Sequence, residues 1–283
     1  MKYNCALVLE GGGMRAAYTN GVLDYFITND IDFNYVVSVS AGVGCAMNFI
    51  AKNKGRAQFL STEYASDKRI MSATNLVSKG SYFDLNIIYN VLDKEVPFDY
   101  KTFYESSTEL MVGCFNLKTG NVDYFNKEYI KKDNSVVIAS SSLPLLSKVI
   151  KVNNTPYMDG GMRDSIPLNK AIEDGYQKQV IILTNPADYV RSKESSLFLM
   201  KMAYRKYPKL IEAMERRHTV YNEMIERINK LEAENKVFVI RPTIKLEVGR
   251  YTKDALTLTN AYNQGATDVA FMKDKLLEYL KED

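Results

Sequence analysis

Histidine and cysteine are scarce in this sequence. His218 is the only histidine among 283 residues, so a zinc site built from several histidines is not expected. The three cysteines, Cys5, Cys45 and Cys114, are widely spaced and lie mostly within apolar stretches. This spacing predicts buried thiols in a reducing compartment rather than a disulfide framework or a metal-binding cluster. The pattern favours a cytoplasmic protein.

Long apolar runs and a strong charge surplus are also missing. No run approaches the roughly 18–20 apolar residues that a membrane-spanning helix needs. The formal net charge is only +3, which is too small to indicate a nucleic-acid-binding protein. Hydrophobic residues make up 46% of the chain and charged residues 25%, which is enough to build a large core. Disordered and fibrous classes are therefore excluded.

Strand and helix patterns alternate along the first part of the chain. Continuous apolar runs predict short strands buried on both faces, and such strands alternating with helices predict a mostly parallel sheet covered by helices. We predict strands over 5–9, 35–39, 180–183 and 237–240, helices over 15–28 and 41–52, and a hairpin at the sheet edge from 109–115 and 121–125.

The C-terminal part is dominated by helical patterns. Apolar side chains recur at three- and four-residue spacing from Pro208 to about residue 236, which predicts a long amphipathic helix, and a last helix is expected over 261–280. No linker or repeat divides the chain. We expect one domain over 1–283, with a motif-bearing core at about 3–185 and a C-terminal helical part at about 190–283 packed on it.

Three consecutive glycines follow the first predicted strand, within the segment 10–15 (Glu-Gly-Gly-Gly-Met-Arg). Glycines permit a sharp turn, and N–H groups that converge at a helix start favour an anion. Read to residue 16, the segment also fits the Gly-x-Gly-x-x-Ala form of the dinucleotide-binding fingerprint. That alternative needs an acidic residue at the end of the second strand, where the sequence has Ser-Val-Ser. A tight turn without any ligand is a third interpretation.

The segment 38–42 (Ser-Val-Ser-Ala-Gly) joins the second strand to the second helix. It resembles the Gly-x-Ser-x-Gly nucleophile elbow, with Ser38 in place of the first glycine. In an elbow the central serine, here Ser40, occupies a strained turn and projects its hydroxyl from the sheet. Small residues flank it because strand and helix nearly touch. Small residues crowded at an ordinary turn would give the same pattern without any catalytic role.

Asp159 is followed by Gly160 and Gly161, after a strand-like stretch at 148–152 and a turn at 153–156. An aspartate before two glycines is commonly a plain loop, but a carboxylate within reach of a serine hydroxyl can accept its proton. His218 lies in step with the apolar residues of the long helix and is expected to be a packed structural residue. A serine hydrolase built from this sequence would therefore use a dyad.

The order of these motifs resembles that of the bacterial patatin-like phospholipases, and the similarity covers about residues 6–184, including 21–23, 139–144 and 164–167. The resemblance implies a three-layer α/β/α sandwich with a mostly parallel central sheet. It implies hydrolysis of fatty-acyl esters in lipids, as by a phospholipase A, a lysophospholipase or an esterase, without metal or cofactor. It assigns Ser40 as nucleophile, Asp159 as its base, Gly11, Gly12, Gly13 and Arg15 as the oxyanion hole, Ser38 and Gly42 to the elbow, and Gly160 and Gly161 to the base loop.

Two departures from the family pattern keep an alternative open. The family usually has glycine where this chain has Ser38 and Ala16. A catalytically weak or silent lipid- or acyl-binding protein on the same scaffold is therefore the second interpretation, although the nucleophile, base and glycines that are present favour an enzyme.

A basic segment provides a further expectation about partners. Residues 201–217 contain six basic and two acidic residues, which predicts peripheral contact with anionic membrane surfaces. A solvated helix face packed on the sheet is the simpler alternative.

Overall fold

The computed structural model describes residues 2–249 and 251–281, without the side chains of residues 90–93 and 131–132. Eight strands form one sheet: β1 (Lys2–Leu9), β2 (Asp32–Val39), β3 (Glu109–Asn116), β4 (Val122–Phe125), β5 (Ile150–Val152), β6 (Thr155–Asp159), β7 (Gln179–Ile182) and β8 (Phe238–Ile240). Their order is β5-β6-β3-β2-β1-β7-β8, with β4 paired to β3. Four of the described pairings are parallel, and the three antiparallel pairings involve β3, β4, β5 and β6.

Thirteen α-helices are described: α1 (Ala16–Thr28), α2 (Ala41–Ile50), α3 (Arg56–Glu63), α4 (Ala73–Lys79), α5 (Leu92–Glu95), α6 (Tyr100–Glu105), α7 (Lys127–Lys132), α8 (Ser135–Ser140), α9 (Leu168–Glu173), α10 (Leu197–Ala203), α11 (Pro208–Ala233), α12 (Ala255–Phe271) and α13 (Lys273–Lys281). Short 3-10 turns lie at Gly13–Arg15 and Gly160–Met162, and a π-helical turn at Ile87–Val91. Within the described ranges, no helix is both long and apolar enough to span a bilayer.

The two faces of β1 show why the fold has three layers. Side chains alternate across a strand. Leu7 and Leu9 face an apolar cluster that contains residues of α1, α2 and α12, whereas Val8 faces a second cluster with residues of α9 and α11. The sheet thus lies between two layers of helices, which confirms the α/β/α sandwich predicted from the sequence.

The long C-terminal helices are joined to the N-terminal part by buried polar contacts as well as by apolar packing. Tyr18 of α1 donates a hydrogen bond to Asp268 of α12 at 3.0 Å, and Tyr262 of α12 donates to Asp24 of α1 at 2.8 Å. Strand β8 follows α11 and pairs with β7, so the C-terminal part also adds the last strand of the sheet.

Three details of the sequence prediction are corrected by the structure. The hairpin of β3 and β4 is present, but β3 is an inner strand because it also pairs with β2 and β6. The last helical stretch is two helices, which begin at Ala255 and Lys273 rather than near residue 261. Four helices, α3 to α6, lie in a region that had no assigned elements.

Candidate active site

Ser40 occupies the sharp turn between β2 and α2. Its backbone has φ 58° and ψ −139°, a conformation that costs a non-glycine residue about 1–3 kcal/mol. Strand and helix approach each other closely here, since a Cβ at Gly42 would collide with Ser38 Oγ and lie 3.0 Å from the carbonyl oxygen of Glu10. Ser38 fits beneath the turn because its buried hydroxyl donates to the carbonyl oxygen of Leu9 at 3.3 Å.

Asp159 is the direct hydrogen-bond partner of Ser40. The serine Oγ donates to Asp159 Oδ2 at 2.7 Å. The aspartate is 1% exposed, and its Oδ1 accepts the backbone N–H of Gly161 at 2.8 Å. One carboxylate oxygen is thus oriented by the backbone while the other faces the hydroxyl, as a proton acceptor requires. The structure brings together two residues that lie 119 positions apart in the sequence.

The loop that carries Asp159 is held by neighbouring backbone. Asp159 ends β6, where it pairs with Cys114 of β3, and its N–H donates to the carbonyl oxygen of Ser142 at 2.9 Å. At the next position, a Cβ on Gly160 would collide with the carbonyl oxygen of Gly113. A residue without a side chain is therefore required directly after the aspartate.

Ser140 is a residue of the site to which sequence reasoning gave no role. Its fully buried hydroxyl, at the end of α8, accepts the backbone N–H of Ser40 at 3.0 Å and donates to the carbonyl oxygen of Gly113 at 2.7 Å. The side chain thus ties the strained turn to the inner strand β3. The sequence signal was the run Ala-Ser-Ser-Ser-Leu-Pro at 139–144, in which nothing distinguishes Ser140 from the serines beside it.

The glycine triplet lines a small cleft together with Ser40 and Asp159. The three glycines differ in whether their backbone N–H groups are free. The N–H of Gly11 donates to the carbonyl oxygen of Ser165 at 3.1 Å, so it is not free to hold an oxyanion, which corrects the expectation for this residue. Gly11 instead provides space, because a Cβ there would lie 2.8 Å from the Cβ of Ser40. The N–H groups of Gly12 and Gly13 make no hydrogen bond within the described residues and are the candidate oxyanion donors.

Arg15 lines the cleft with its side chain rather than with a free backbone group. Its N–H donates to the carbonyl oxygen of Gly12 at 3.3 Å. The side-chain Nε is buried and has no acceptor among the described residues. Ala16, at a position where the family usually has glycine, is accommodated in the first turn of α1 and borders an apolar cavity.

Two different compartments meet at Ser40. The first is a cavity of about 220 Å³ whose apolar lining includes Ala17, Leu60, Ile70, Phe83 and Leu143. The second is a polar cleft bordered by Asp159, Gly161, Arg191 and Arg217. Both arginines also line an adjoining cavity of about 190 Å³. The polar cleft itself has a volume of only about 20 Å³, so a polar part of a substrate would need the adjoining cavity as well.

Two arginines that follow the motif-bearing core reach this cleft. The Nε–H of Arg217, on α11, donates to the carbonyl oxygen of Gly161 at 2.8 Å. Arg191, whose side chain is 8% exposed, donates to Ser165 Oγ at 2.9 Å and stacks on the ring of Tyr221 at 3.6 Å. Sequence reasoning found neither residue, because both lie far along the chain from the motifs and only the fold brings them near.

Glu10 lies beneath the glycine triplet and is fully buried. Its carboxylate accepts the N–H of Thr184 at 2.6 Å and the hydroxyl of Tyr221 at 2.9 Å, and it lies 3.8 Å from the guanidinium of Arg191. Burial, and then the nearby Glu10 carboxylate, raise the pKa of the Tyr221 hydroxyl, which therefore stays a donor. This network connects the first strand, the end of β7 and α11 behind the candidate site.

His218 is not where the helical pattern placed it. It borders the cavity that also contains Arg191 and Arg217, and its Nδ1 is buried without a partner among the described residues. Its Nε2 lies 3.4 Å from the hydroxyl of Thr219. The ring therefore faces a polar cavity beside the cleft rather than the apolar stripe of α11. Ser40 is nevertheless paired directly with Asp159.

The cysteines do not form a second reactive centre. All three are free and buried, as the sequence predicted. Cys45 borders the apolar cavity near Ser40, but burial raises the pKa of its thiol to about 12, so it stays protonated. Within residues 2–249 and 251–281, no three His, Cys, Asp or Glu side chains are grouped where they could bind a metal ion.

Comparisons with known proteins match this chain to a family model and to two individual proteins. A family model described as patatin-like phospholipase matches residues 7–172, and a model for a domain of unknown function, DUF6363, matches 207–281. The uncharacterized protein YjjU of Escherichia coli strain K12 is 26% identical over 247 residues, which span 84% of this chain and 68% of YjjU. The crystal structure of VipD from Legionella pneumophila superposes with a TM-score of 0.49 and 13% identity, over 96% of this chain and 67% of VipD.

The patatin-like match includes every motif residue discussed above, from the glycine triplet to Gly161. The region matched by the domain of unknown function, 207–281, contains α11, with Arg217 and His218, as well as β8, α12 and α13. The patatin-like model matches more than half of the length of this chain. The chain therefore belongs to the patatin-like phospholipase family, which implies lipid acyl hydrolase activity.

Proposed function

We propose that the protein hydrolyses fatty-acyl esters of lipids, with Ser40 as nucleophile and Asp159 as its base. The observation that carries this proposal is the 2.7 Å hydrogen bond from Ser40 Oγ to a buried carboxylate, made from a strained strand-to-helix turn. A carboxylate is a weak base for a hydroxyl, so direct contact and exclusion of water are needed for it to work. The burial of Asp159 meets the second condition.

The reaction proceeds through an acyl-enzyme. Ser40 Oγ attacks the ester carbonyl while its proton passes to Asp159 Oδ2, and the protonated carboxyl then returns this proton to the alcohol oxygen as the ester C–O bond breaks. A water molecule then attacks the acyl-serine, and the same carboxylate accepts a proton from it. Asp159 passes this proton to Ser40 Oγ as the acyl C–Oγ bond breaks, which releases the fatty acid and restores the starting dyad. The N–H groups of Gly12 and Gly13 and the start of α2 stabilise the oxyanion of each tetrahedral intermediate, and one such donor contributes about 3–4 kcal/mol.

The apolar cavity beside Ser40 supports the proposal that the acyl chain of the ester binds there. Burial of each methylene in such a cavity contributes about 0.8 kcal/mol. The alcohol part then points towards the polar cleft and the adjoining cavity of about 190 Å³, both lined by Arg191 and Arg217. We expect turnover to rise from acetyl to octanoyl esters of the same alcohol, because the cavity of about 220 Å³ is filled progressively.

The long helix α11 takes part in positioning the base. Arg217 donates a hydrogen bond to the carbonyl oxygen of Gly161. The N–H of Gly161 in turn donates to Asp159 Oδ1. Arg217 therefore acts through the base loop and is a positioning residue. This contact gives the region of unknown function a direct connection to the chemistry.

Peripheral contact with an anionic membrane is part of the proposal, but with fewer cations than the sequence count suggests. Lys201 pairs with Glu215 at 2.6 Å, Lys209 pairs with Glu212 at 3.1 Å, and Arg217 faces the base loop. The segment 201–217 therefore does not present one basic face.

A fluorophosphonate probe, together with p-nitrophenyl esters, tests the proposal. Wild type should be labelled and should hydrolyse the esters. Ser40→Ala should lose both, and Asp159→Asn should lose hydrolysis by about 10²–10⁴-fold, because the amide keeps the shape but cannot accept the proton. Circular dichroism of each variant checks folding. Absence of labelling and turnover in folded wild type would favour the silent lipid-binding alternative, and turnover above a tenth of wild type in either variant would overturn the dyad.

A further inference from the structure

The short helix α10 exposes an unusual amount of apolar surface. Phe198 is 72% exposed, Leu199 57% and Met202 54%, and all three lie on the outer side of the same helix. Scattered exposed apolar residues are ordinary, but a contiguous patch marks an interaction surface. Removing these three side chains from water would favour binding to an apolar partner.

The inner side of α10 is fixed to the walls of the candidate site. Met200 is buried in the apolar cluster that contains Met158 and Met162, which flank Asp159 and its two glycines. Just after the helix, the hydroxyl of Tyr204 accepts the backbone N–H of Leu145 at 3.0 Å. The helix that carries the exposed patch thus packs on the apolar cluster beside the base loop.

The loop at 143–148 lies between this patch and the apolar cavity. Leu143, at its start, borders both the apolar cavity and the polar cleft, and it packs on the cluster that holds Met200. The carbonyl oxygen of Leu146, in the same loop, accepts the backbone N–H of Tyr82 at 2.7 Å. A lipid surface that receives the outer side of α10 would therefore contact a helix that packs, through Met200 and Leu143, on the wall of the candidate site.

The charges around the patch indicate which surface it fits. Residues 197–211 contain four basic and no acidic residues. Arg205 and Lys206 are exposed directly after the helix and have no ion-pair partner among the described residues. Apolar side chains at the centre of a patch with unpaired cations at its border are the composition of helices that lie in the interface of anionic bilayers.

We propose that α10 is a membrane-docking element, in which Phe198, Leu199 and Met202 enter the acyl-chain region of an anionic bilayer. Arg205 and Lys206 contact the anionic head groups. The proposal rests on the proposed function for its purpose, because docking would bring ester-containing lipids to the cleft. Binding itself does not need catalysis, so the two can be tested separately.

The binding experiment uses Ser40→Ala protein, which cannot consume the lipid, and co-sedimentation with sucrose-loaded vesicles. The vesicles contain phosphatidylcholine alone or with 30 mol% phosphatidylglycerol. We expect stronger binding to the anionic vesicles and a decrease with salt. Replacing Phe198, Leu199 and Met202 together by serine should weaken binding at least tenfold. Replacing Arg205 and Lys206 by glutamine should weaken binding to anionic vesicles by about fivefold for each charge.

The matched control is Phe271→Ser, at the end of α12, because Phe271 is 87% exposed and lies outside the patch. It should bind like the parent protein. Equal binding by the triple-serine variant and the control would overturn the proposal, as would equal binding to neutral and anionic vesicles. Loss of a dimer in light scattering, with unchanged vesicle binding, would assign the patch to a second copy of the chain instead.

A second readout in the active protein separates docking from chemistry. The triple-serine change should leave turnover of a soluble short-chain ester within twofold of wild type and lower hydrolysis of vesicle phospholipid at least tenfold. Equal losses on both substrates would place the patch in the site rather than at the membrane, which overturns docking. If wild type hydrolyses neither substrate but the Ser40→Ala protein still binds as described, the proposed function fails and the docking proposal stands.

Discussion

The Nε–H of Arg217, on helix α11, donates a hydrogen bond to the carbonyl oxygen of Gly161 at 2.8 Å. The N–H of that same glycine orients the buried carboxylate of Asp159. Arg217, in the C-terminal region, is therefore linked through Gly161 to Asp159, the proposed acceptor of the serine proton. The matched region of unknown function thus contacts the candidate site directly.

Arg217→Ala is expected to lower kcat on a soluble ester by about 10–100-fold, because misplacing the base by even a fraction of an ångström costs much of its contribution. KM should change much less than kcat for an ester of a small alcohol, since the apolar cavity that holds the acyl chain is unchanged. The control is Arg216→Ala, an exposed neighbour on the same helix, which should behave as wild type. An unchanged kcat in folded Arg217→Ala protein would show that the base loop holds its position without this contact.

Ser140→Ala is expected to reduce both kcat and stability. The substitution removes the acceptor for the N–H of Ser40 and leaves the carbonyl oxygen of Gly113 without its donor, which should cost about 1–3 kcal/mol of unfolding free energy. Ser142→Ala is the matched control, because its hydroxyl is also buried but, among the residues that the structure describes, bonds only the carbonyl oxygen of Ile138. If both variants lose the same activity, Ser140 has no special role at the elbow.

Asp164 predicts a pH dependence of stability. Burial raises the pKa of its carboxyl to about 6, although the Tyr124 hydroxyl donates to it at 2.7 Å. Because the carboxyl ionises near pH 4 in the unfolded chain and near 6 in the folded protein, its contribution disfavours folding as pH rises between these values. Asp164→Asn should therefore match wild type near pH 4 and exceed its stability by about 1–3 kcal/mol at pH 7.5. Urea unfolding at both pH values measures this, and a difference that does not change with pH would contradict it.

The sequence predicts the fold better than it predicts the site. Buried strands such as β1 and the glycine-rich turns are recognisable because each depends on local residue pattern. Helices α3 to α6 were not predicted, since they are short and carry no clear apolar period. Ser140, Arg191 and Arg217 could not be found, because their roles depend on contacts across the fold. Gly11 was assigned an N–H role that the bond to Ser165 rules out, and no local pattern encodes that bond.

The histidine shows how a helical period can mislead. His218 follows Met214 by four residues, which predicts the same apolar face. Four residues are slightly more than one helical turn, so the two side chains point in directions that differ by about 40°. Met214 is buried in an apolar cluster, whereas His218 borders the polar cavity next to Arg217. The sequence correctly gave its position on α11 but not the surface that the ring meets.

His218→Gln is expected to leave ester hydrolysis within a few-fold of wild type, even though the ring lies beside the cleft. In a triad hydrolase the base is an imidazole, and activity falls as pH drops through its titration near 6.5. Here Ser40 Oγ is already paired with Asp159 Oδ2 at 2.7 Å, and Asp159 Oδ1 is held by backbone, so no step requires an imidazole. The acidic limb of the pH–rate profile should therefore be the same in wild type and variant. A loss of three or more decades in folded His218→Gln protein, together with loss of the acyl-enzyme burst, would overturn the dyad and assign the proton transfer to α11.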